Sequence, residues 1–329
     1  MFEIEFSQQA TKVKQLAAAI QDAITIGEYS EGSSLPSIND LSKKCHVARD
    51  TVFKAFQSLK EAGIIESTPT KGYYVASSMT QILVMFDIFS PYKNDMYHAL
   101  TNKLPANYKV DLYFHHYNKI FFDTIIRDSI GKYNLYLIMN FSNDVYSSVL
   151  DELDSNRVLL LDFGQFEKDK YAYICQGFDG TLYECLMSGA DLFKKYQKLI
   201  FVFPENSEHP RSCIPYFEKF CNDISLDRAL ITRENILESD VVEHAAYLIV
   251  RHSDLIDFTK ICKKKGLIIG KDVGVVTFND APMLEVIENG ITTISTDFKK
   301  MGSLASEFIQ TKQKIQTYIP TKLIVRGSL

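Results

Sequence analysis

Leu35-Pro36-Ser37, Val47-Ala48-Arg49-Asp50-Thr51-Val52, Leu59-Lys60-Glu61-Ala62-Gly63-Ile64-Ile65 and Lys71-Gly72-Tyr73-Tyr74-Val75 follow one another near the start of a 329-residue chain. Pro36 restrains a turn, and Ser37 suits the N-cap of a short helix that turns Ile38 and Leu41 inward. A short break at His46-Val47 leads into a longer helix from about Ala48 to Ala62, with Val52, Phe56 and Leu59 on one face and Gly63 as its stop. Ile64 to Ser67 and Gly72 to Val75 then flank Thr68-Pro69-Thr70-Lys71 as a small hairpin. Upstream, Val13, Leu16, Ala17, Ile20, Ala23 and Ile24 recur at helical spacing up to Gly27, which predicts one more amphipathic helix.

Three helices and a hairpin in this order predict a winged helix-turn-helix, whose third helix enters the major groove of duplex DNA. Its exposed start carries Arg49, Asp50, Thr51, Phe53 and Lys54. Arg49 suits a guanine edge, Thr51 a phosphate or thymine methyl, and Asp50 a cytosine amino group or the helix end. Ser37 and Asn39 at the second helix, with Lys71 and Gly72 at the hairpin tip, are the candidates for backbone contacts. From Lys43 to Val75 six basic residues face three acids, in a chain whose net charge is −5. A small basic face on an acidic body is the expected pattern for such a reader.

The four quoted segments, in that order and spacing, resemble the GntR-type transcription regulators. The resemblance implies sequence-specific binding of double-stranded operator DNA by a homodimer. It departs from the family's usual acidic-then-basic pair after Leu-Pro-Ser, where Ile38-Asn39 stand here.

After Ala76 the character of the chain changes. Short apolar runs at Ile82–Phe86, Val110–Phe114, Leu135–Met139, Val158–Leu161, Leu199–Phe203, Ala246–Val250 and Gly274–Phe278 alternate with helical stretches at 95–104, 119–129, 142–154, 179–195, 215–221 and 254–265. The alternation predicts an α/β fold with parallel sheets covered on both faces. Ligands of open parallel sheets sit beyond the carboxyl ends of the strands. That rule selects Asp87, Phe89, Ser90, Asn140, Phe141, Asp162, His209, Arg211, Arg251, His252, Asp254, Asn279 and Asp280. Carboxylates, amides and arginines among aromatic rings suit a polyhydroxyl ligand.

Asp272-Val273-Gly274-Val275-Val276-Thr277-Phe278-Asn279-Asp280, Ile291 to Phe298 with Met301-Gly302, and Leu323 to Ser328 are similar to the effector domain of LacI/GalR regulators, itself like periplasmic sugar-binding proteins. That resemblance implies two lobes, about 82–175 with 296–317 and 176–295 with 318–329. It puts sugar contacts on Asp162 and Asn279, and a ring next to Asp297 on Phe298. His252-Ser253 replaces the family's asparagine-aspartate pair, and Arg211 falls two places from its arginine. The organisation expected is therefore a DNA-binding domain at 1–76, a linker at 77–81 and an effector domain at 82–329. The function expected is a DNA-binding regulator controlled by a monosaccharide or derivative; the alternative is a nucleobase or other small polar metabolite.

Other classes are disfavoured. The sequence holds no phosphate-binding loop, no His-Glu-x-x-His and no Gly-x-Ser-x-Gly, so neither catalysis nor a cofactor is expected. The six cysteines show no C-x-x-C spacing, so no metal site or disulfide framework is expected. With neither a long apolar run nor a signal-like start, the expectation is a cytoplasmic chain without membrane contact.

Overall fold

The computed structural model describes residues 4, 6, 10–76, 79–105, 107–143, 145–162, 164, 166–177 and 179–329. Two compact units divide the chain: Met1–Leu83 with Pro105–Asp111 and Ile126–Asn134, and Val84–Leu104 with Leu112–Ile125 and Leu135–Leu329.

The first unit opens with three helices, α1 (Lys12–Thr25), α2 (Ile38–Lys44) and α3 (Arg49–Glu61), and an antiparallel hairpin of β1 (Ile65–Thr68) and β2 (Gly72–Val75). Leu16 and Ile20 of α1, Leu41 of α2, and Val52, Phe56 and Leu59 of α3 close one core with Ile65 and Val75 of the hairpin. These are the periodic apolar positions, and each fully buried Leu, Ile or Phe contributes roughly 1.5–3 kcal/mol. Thr11 caps α1 and Ser37 caps α2 through their side chains, whereas α3 has no side-chain cap.

Beyond the hairpin the elements are β3 (Thr80–Phe86), α4 (Pro91–Thr101), β4 (Tyr108–Phe114), α5 (Lys119–Ser129), β5 (Leu135–Met139), β6 (Val158–Leu161) and β7 (Ala172–Gln176). They continue with α6 (Asp179–Ser188), α7 (Ala190–Phe193), β8 (Lys198–Val202), α8 (Ile214–Asp223), β9 (Asp227–Ile231), β10 (Ala245–Ile249), α9 (His252–Lys265) and β11 (Gly274–Phe278). The last are β12 (Thr292–Thr296), α10 (Phe298–Thr311), β13 (Gln316–Ile319) and β14 (Thr321–Ile324). One six-stranded sheet has the order β13-β7-β6-β5-β3-β4 and the other β14-β12-β11-β10-β8-β9. Pairing is parallel through β5, β6, β7 and β13, and through β9, β8, β10, β11 and β12; β14 joins antiparallel.

Side-chain alternation sends the two faces of a strand into separate cores. Leu199 and Phe201 of β8 pack with Phe193, Phe217 and Phe220, while Ile200 and Val202 pack with Tyr247, Phe258 and Val275. On the other sheet, α10 lies on α4, and Gly302 is what lets them meet, since a Cβ there would collide with the Met96 carbonyl.

Three expectations change in detail. The predicted helix at 142–154 is only a 3-10 turn at Ser148–Glu152, because the Asn140 side chain holds the preceding loop by donating to the Ser142 and Val145 carbonyls. The predicted helix at 179–195 breaks at Gly189, against which the Leu323 side chain is pressed. Of the linker expected at 77–81, Ser77 and Ser78 lie outside the described residues, and Thr80 and Gln81 already belong to β3. All six cysteines are buried and none is in a disulfide. Among the described residues no helix is long and apolar enough to cross a membrane, and no cluster of three His, Cys, Asp or Glu side chains offers a metal site.

Candidate functional site

In the first unit, the start of α3 is an exposed, uncapped helix end. Arg49, Asp50, Phe53 and Lys54 are exposed there and Thr51 is half-buried. Asp50 pairs with Lys54 one turn on, at 2.7 Å, with both side chains largely in solvent. Asp50 thus complements the positive helix end and occupies Lys54. Arg49 has no carboxylate partner among the described residues, so its guanidinium is available. Asn39 is exposed, whereas the Ser37 hydroxyl is spent on the cap: it accepts from the Asp40 N–H at 3.2 Å and donates to the Asp40 carboxylate at 2.6 Å. At the hairpin tip Gly72 has φ +72° and open space around its Cα. Lys71 reaches over the Tyr74 ring, 4.5 Å from its centroid, and donates to the Gly32 carbonyl.

In the second unit, a cleft of about 700 Å³ gathers residues from the carboxyl ends of strands in both sheets. Asp87, Ser90, Asn140, Asp162, His209, Arg251, His252 and Asn279 all line it. The other predicted ligand residues do not. Phe89 is 68% exposed, and Phe141 is buried against the Phe122 ring. Arg211 points its guanidinium at the Glu205 carbonyl. Asp254 is buried under Arg251, and Asp280 is clamped by both terminal nitrogens of Arg326 at 2.7 and 2.8 Å. Asp297 caps α10, and Phe298 stands behind the wall, its ring 4.6 Å from that of Tyr92.

The cleft also holds residues that the strand-end rule passed over. His116 and Tyr117 follow the end of β4 and, with φ +52° and +57°, turn the chain into the cleft. Applied to the predicted strand at 110–114, the same rule would have named them. Gln176 ends β7, a strand the sequence reading did not contain. Tyr92 and Lys93 come from the first turn of α4, where helices rather than strand ends supply the wall.

Buried charge is organised around Asp162. Its backbone is left-handed, with φ +45°. One carboxylate oxygen accepts from Gln176 Nε2 at 2.8 Å; the other is buried and makes no hydrogen bond among the described residues. Desolvation pushes this carboxyl up to about 6, against the opposing pull of Gln176 and Lys93. Lys93, 3% exposed, is ion-paired with Asp87. Arg251 forks onto Asp254 through Nε and Nη2 at 2.9 and 2.8 Å and donates from Nη1 to Glu234 at 2.8 Å. Burial holds His209 down to about 3, so it is neutral, and its ring lies 4.3 Å from Phe278. His252 Nε2 donates to the Phe278 carbonyl at 3.0 Å. A hydrogen bond from Asn143 Nδ2 to the Glu208 carbonyl, at 2.8 Å, spans the cleft. The lining therefore offers acceptors, amides and ring faces, which can hold hydroxyl groups and the C–H faces between them.

Comparison with known proteins follows the same division. Residues 12–75 match the bacterial regulatory proteins of the gntR family, and residues 194–329 match the periplasmic binding protein-like domain. The chain is 38% identical over 64 residues, 20% of its length, to the "Uncharacterized HTH-type transcriptional regulator YcxD" of Bacillus subtilis (strain 168). It spans only 14% to 15% of the length of the curated relatives it matches. In fold it is similar to a LacI family transcriptional regulator from Lactobacillus casei with bound glucose, at a TM-score of 0.62 and 11% identity over 76% of this chain and 100% of that one. It is also similar to a LacI family transcriptional regulator from Enterococcus faecium with bound ribose, at a TM-score of 0.60 and 16% identity over 76% of this chain and 98% of that one.

Proposed function

Since the chain joins a DNA-binding domain of the bacterial gntR family to a periplasmic-binding-protein-like domain, we propose that it is a transcription regulator whose grip on duplex operator DNA is set by a sugar in the cleft. The observation that carries this reading is the buried, unpartnered oxygen of Asp162 in a wall of amides and rings. A hydroxyl donor is the partner such an acceptor needs. Solved proteins of similar fold hold glucose and ribose.

On this reading Arg49 and Thr51 contact base edges, and Asn39, Lys71 and Gly72 approach the backbone. Two copies bind two half-sites of a palindrome. A second copy would cover the apolar strip of Ile256, Met283 and Val286, which are 49%, 46% and 80% exposed. Closure of the cleft on its ligand changes DNA affinity only to the extent that the ligand prefers the closed state.

The test is a thermal-shift screen of the full chain against monosaccharides, disaccharides and nucleobases, followed by operator titration with and without each hit. A sugar that stabilises the protein and changes its operator affinity supports the proposal. A response confined to nucleobases replaces the ligand class and keeps the regulator. Failure to bind any duplex selected from random sequence rejects the regulator itself.

A further inference from the structure

Lys93 is 3% exposed and stands in the first turn of α4, a helix start with no side-chain cap. Lysine is almost never fully buried without a partner, and positive charge is disfavoured at the start of a helix. Asp87 supplies the partner. It takes the Lys93 ammonium and the Ile88 N–H, and the Tyr117 hydroxyl also hydrogen-bonds to it. Asp87 is therefore the carboxylate that holds Lys93 in place, and it is already well supplied with donors. An ammonium carries three hydrogens. Asp87 is the hydrogen-bond acceptor of Lys93 among the described residues, and the Tyr92 ring centroid lies 5.4 Å from its Nζ. Donor capacity is left over on a buried lysine that lines the cleft. The complementary surplus belongs to Asp162, which also lines the cleft: one of its oxygens takes Gln176, and the other is buried without a hydrogen bond. Among the described ion pairs Lys93 is joined to Asp87 and not to Asp162, yet its charge pulls on the Asp162 carboxyl. The two groups are neighbours without being partners.

Building on the sugar reading above, we infer that Lys93 and Asp162 read one hydroxyl of the effector from both sides, which sets the cleft against deoxy sugars and makes Lys93 a specificity-determining donor. A hydroxyl both accepts and donates at a single oxygen. It can accept from Lys93 Nζ while giving its hydrogen to the open oxygen of Asp162. A carbonyl would serve only the lysine, and an N–H only the carboxylate. A ligand without that hydroxyl leaves two buried groups unmatched, the circumstance in which a site discriminates most steeply. Asp87 acts through Lys93 as a positioning residue.

The test is calorimetric titration of the full chain with D-glucose, D-galactose, D-mannose, D-ribose, D-xylose, L-arabinose, sucrose and maltose, followed by the monodeoxy and monofluoro analogues of each binder. Removal of one particular hydroxyl should weaken binding at least about 100-fold. Fluorine at that position should not restore it, because fluorine offers Lys93 an acceptor but gives Asp162 no hydrogen. In Lys93→Met the parent sugar should bind roughly 100-fold more weakly, and the penalty for removing that hydroxyl should shrink to within about tenfold. Because this variant strands Asp87, the same titrations are made with Asp87→Asn/Lys93→Met, and both variants are checked for folding by a cooperative thermal transition. Penalties spread evenly over all the hydroxyls, or a deoxy penalty that is unchanged in both variants, overturn the inference and leave the sugar reading standing. A chain that binds none of these sugars rejects the inference together with the sugar reading beneath it.

Discussion

Glu66, on the first strand of the wing, accepts a hydrogen bond at 2.6 Å from the side-chain amide of Asn134, 68 residues further along the chain. Its other oxygen accepts from the Tyr74 hydroxyl at 2.9 Å. Asn134 is fixed in turn to the second residue of β3: its Oδ1 accepts from the Gln81 N–H at 2.7 Å, and its own N–H donates to the Gln81 carbonyl at 2.8 Å. One carboxylate thus ties the hairpin that flanks the recognition helix to the strand that opens the α/β body. Glu66→Ala should cost roughly 1–3 kcal/mol of local stability by removing the acceptor of the Asn134 amide and one acceptor of the Tyr74 hydroxyl, which keeps the Gly131 carbonyl at 3.4 Å. Hydrogen exchange checks this: amides of β2 and of 131–134 should exchange at least about tenfold faster while those of β10 stay unchanged. Uniform exchange across the chain would show that Glu66 ties nothing.

At the DNA face, Asp50 masks Lys54, and the two single substitutions should act in opposite senses. Asp50→Asn frees the lysine, so non-specific duplex affinity should rise and the salt slope steepen by about one phosphate contact. Arg49→Ala should weaken the cognate operator by roughly 1–3 kcal/mol and relax sequence preference. Fluorescence anisotropy at several salt concentrations separates the two. An Arg49→Ala variant that keeps its discrimination would move base reading elsewhere.

Burial raises the Asp162 carboxyl to about 6, whereas in an unfolded chain it titrates near 4. Between those values the folded protein keeps a proton that the unfolded chain has released. The contribution to stability is therefore fully present below about pH 4 and is lost as pH rises through about 6. Asparagine has no such proton to lose. The melting temperature of Asp162→Asn should exceed that of the native chain by a few degrees at pH 8, with a smaller gain at pH 4.5. Equal gains at both pH values would detach the effect from ionisation.

Gly302 faces the carbonyl of Met96 where α10 lies on α4. Gly302→Ala must push the helices apart and should cost roughly 1–3 kcal/mol despite the better helix propensity of alanine. Urea unfolding measures it. A neutral or stabilising result would mean that the two helices are free to slide.

The head of the molecule was legible because each element carries its own signal: apolar spacing in α1 and α3, Leu35-Pro36-Ser37 before α2, and Gly63 and Gly72 at its turns. The buried strands β5, β8, β10 and β11 stood out as uninterrupted apolar runs. Three edge strands did not: β9 reads Asp-Arg-Ala-Leu-Ile with its first two residues exposed, and β13 and β14 are four residues each. Within the cleft, strand order told where each chain segment ends but not where its side chain turns. Asp254 follows β10 in the first turn of α9 and Asp280 follows β11, yet each is drawn away by an arginine, one three residues before it and one 46 residues after it. Lys93 and Tyr92 were invisible to a rule about strands because a helix start supplies them.

The chain passes between the two sheets three times: after β7, after β12, and at Pro320 between β13 and β14. Neither sheet is a continuous stretch of sequence, so no single cut in the gene can excise, replace or duplicate half of the cleft. The segment before β3, in contrast, comes away at one cut. Shuffling of genes can therefore exchange the reader of DNA while the body is inherited whole, whereas neither wall of the cleft can be exchanged without the other in one crossover.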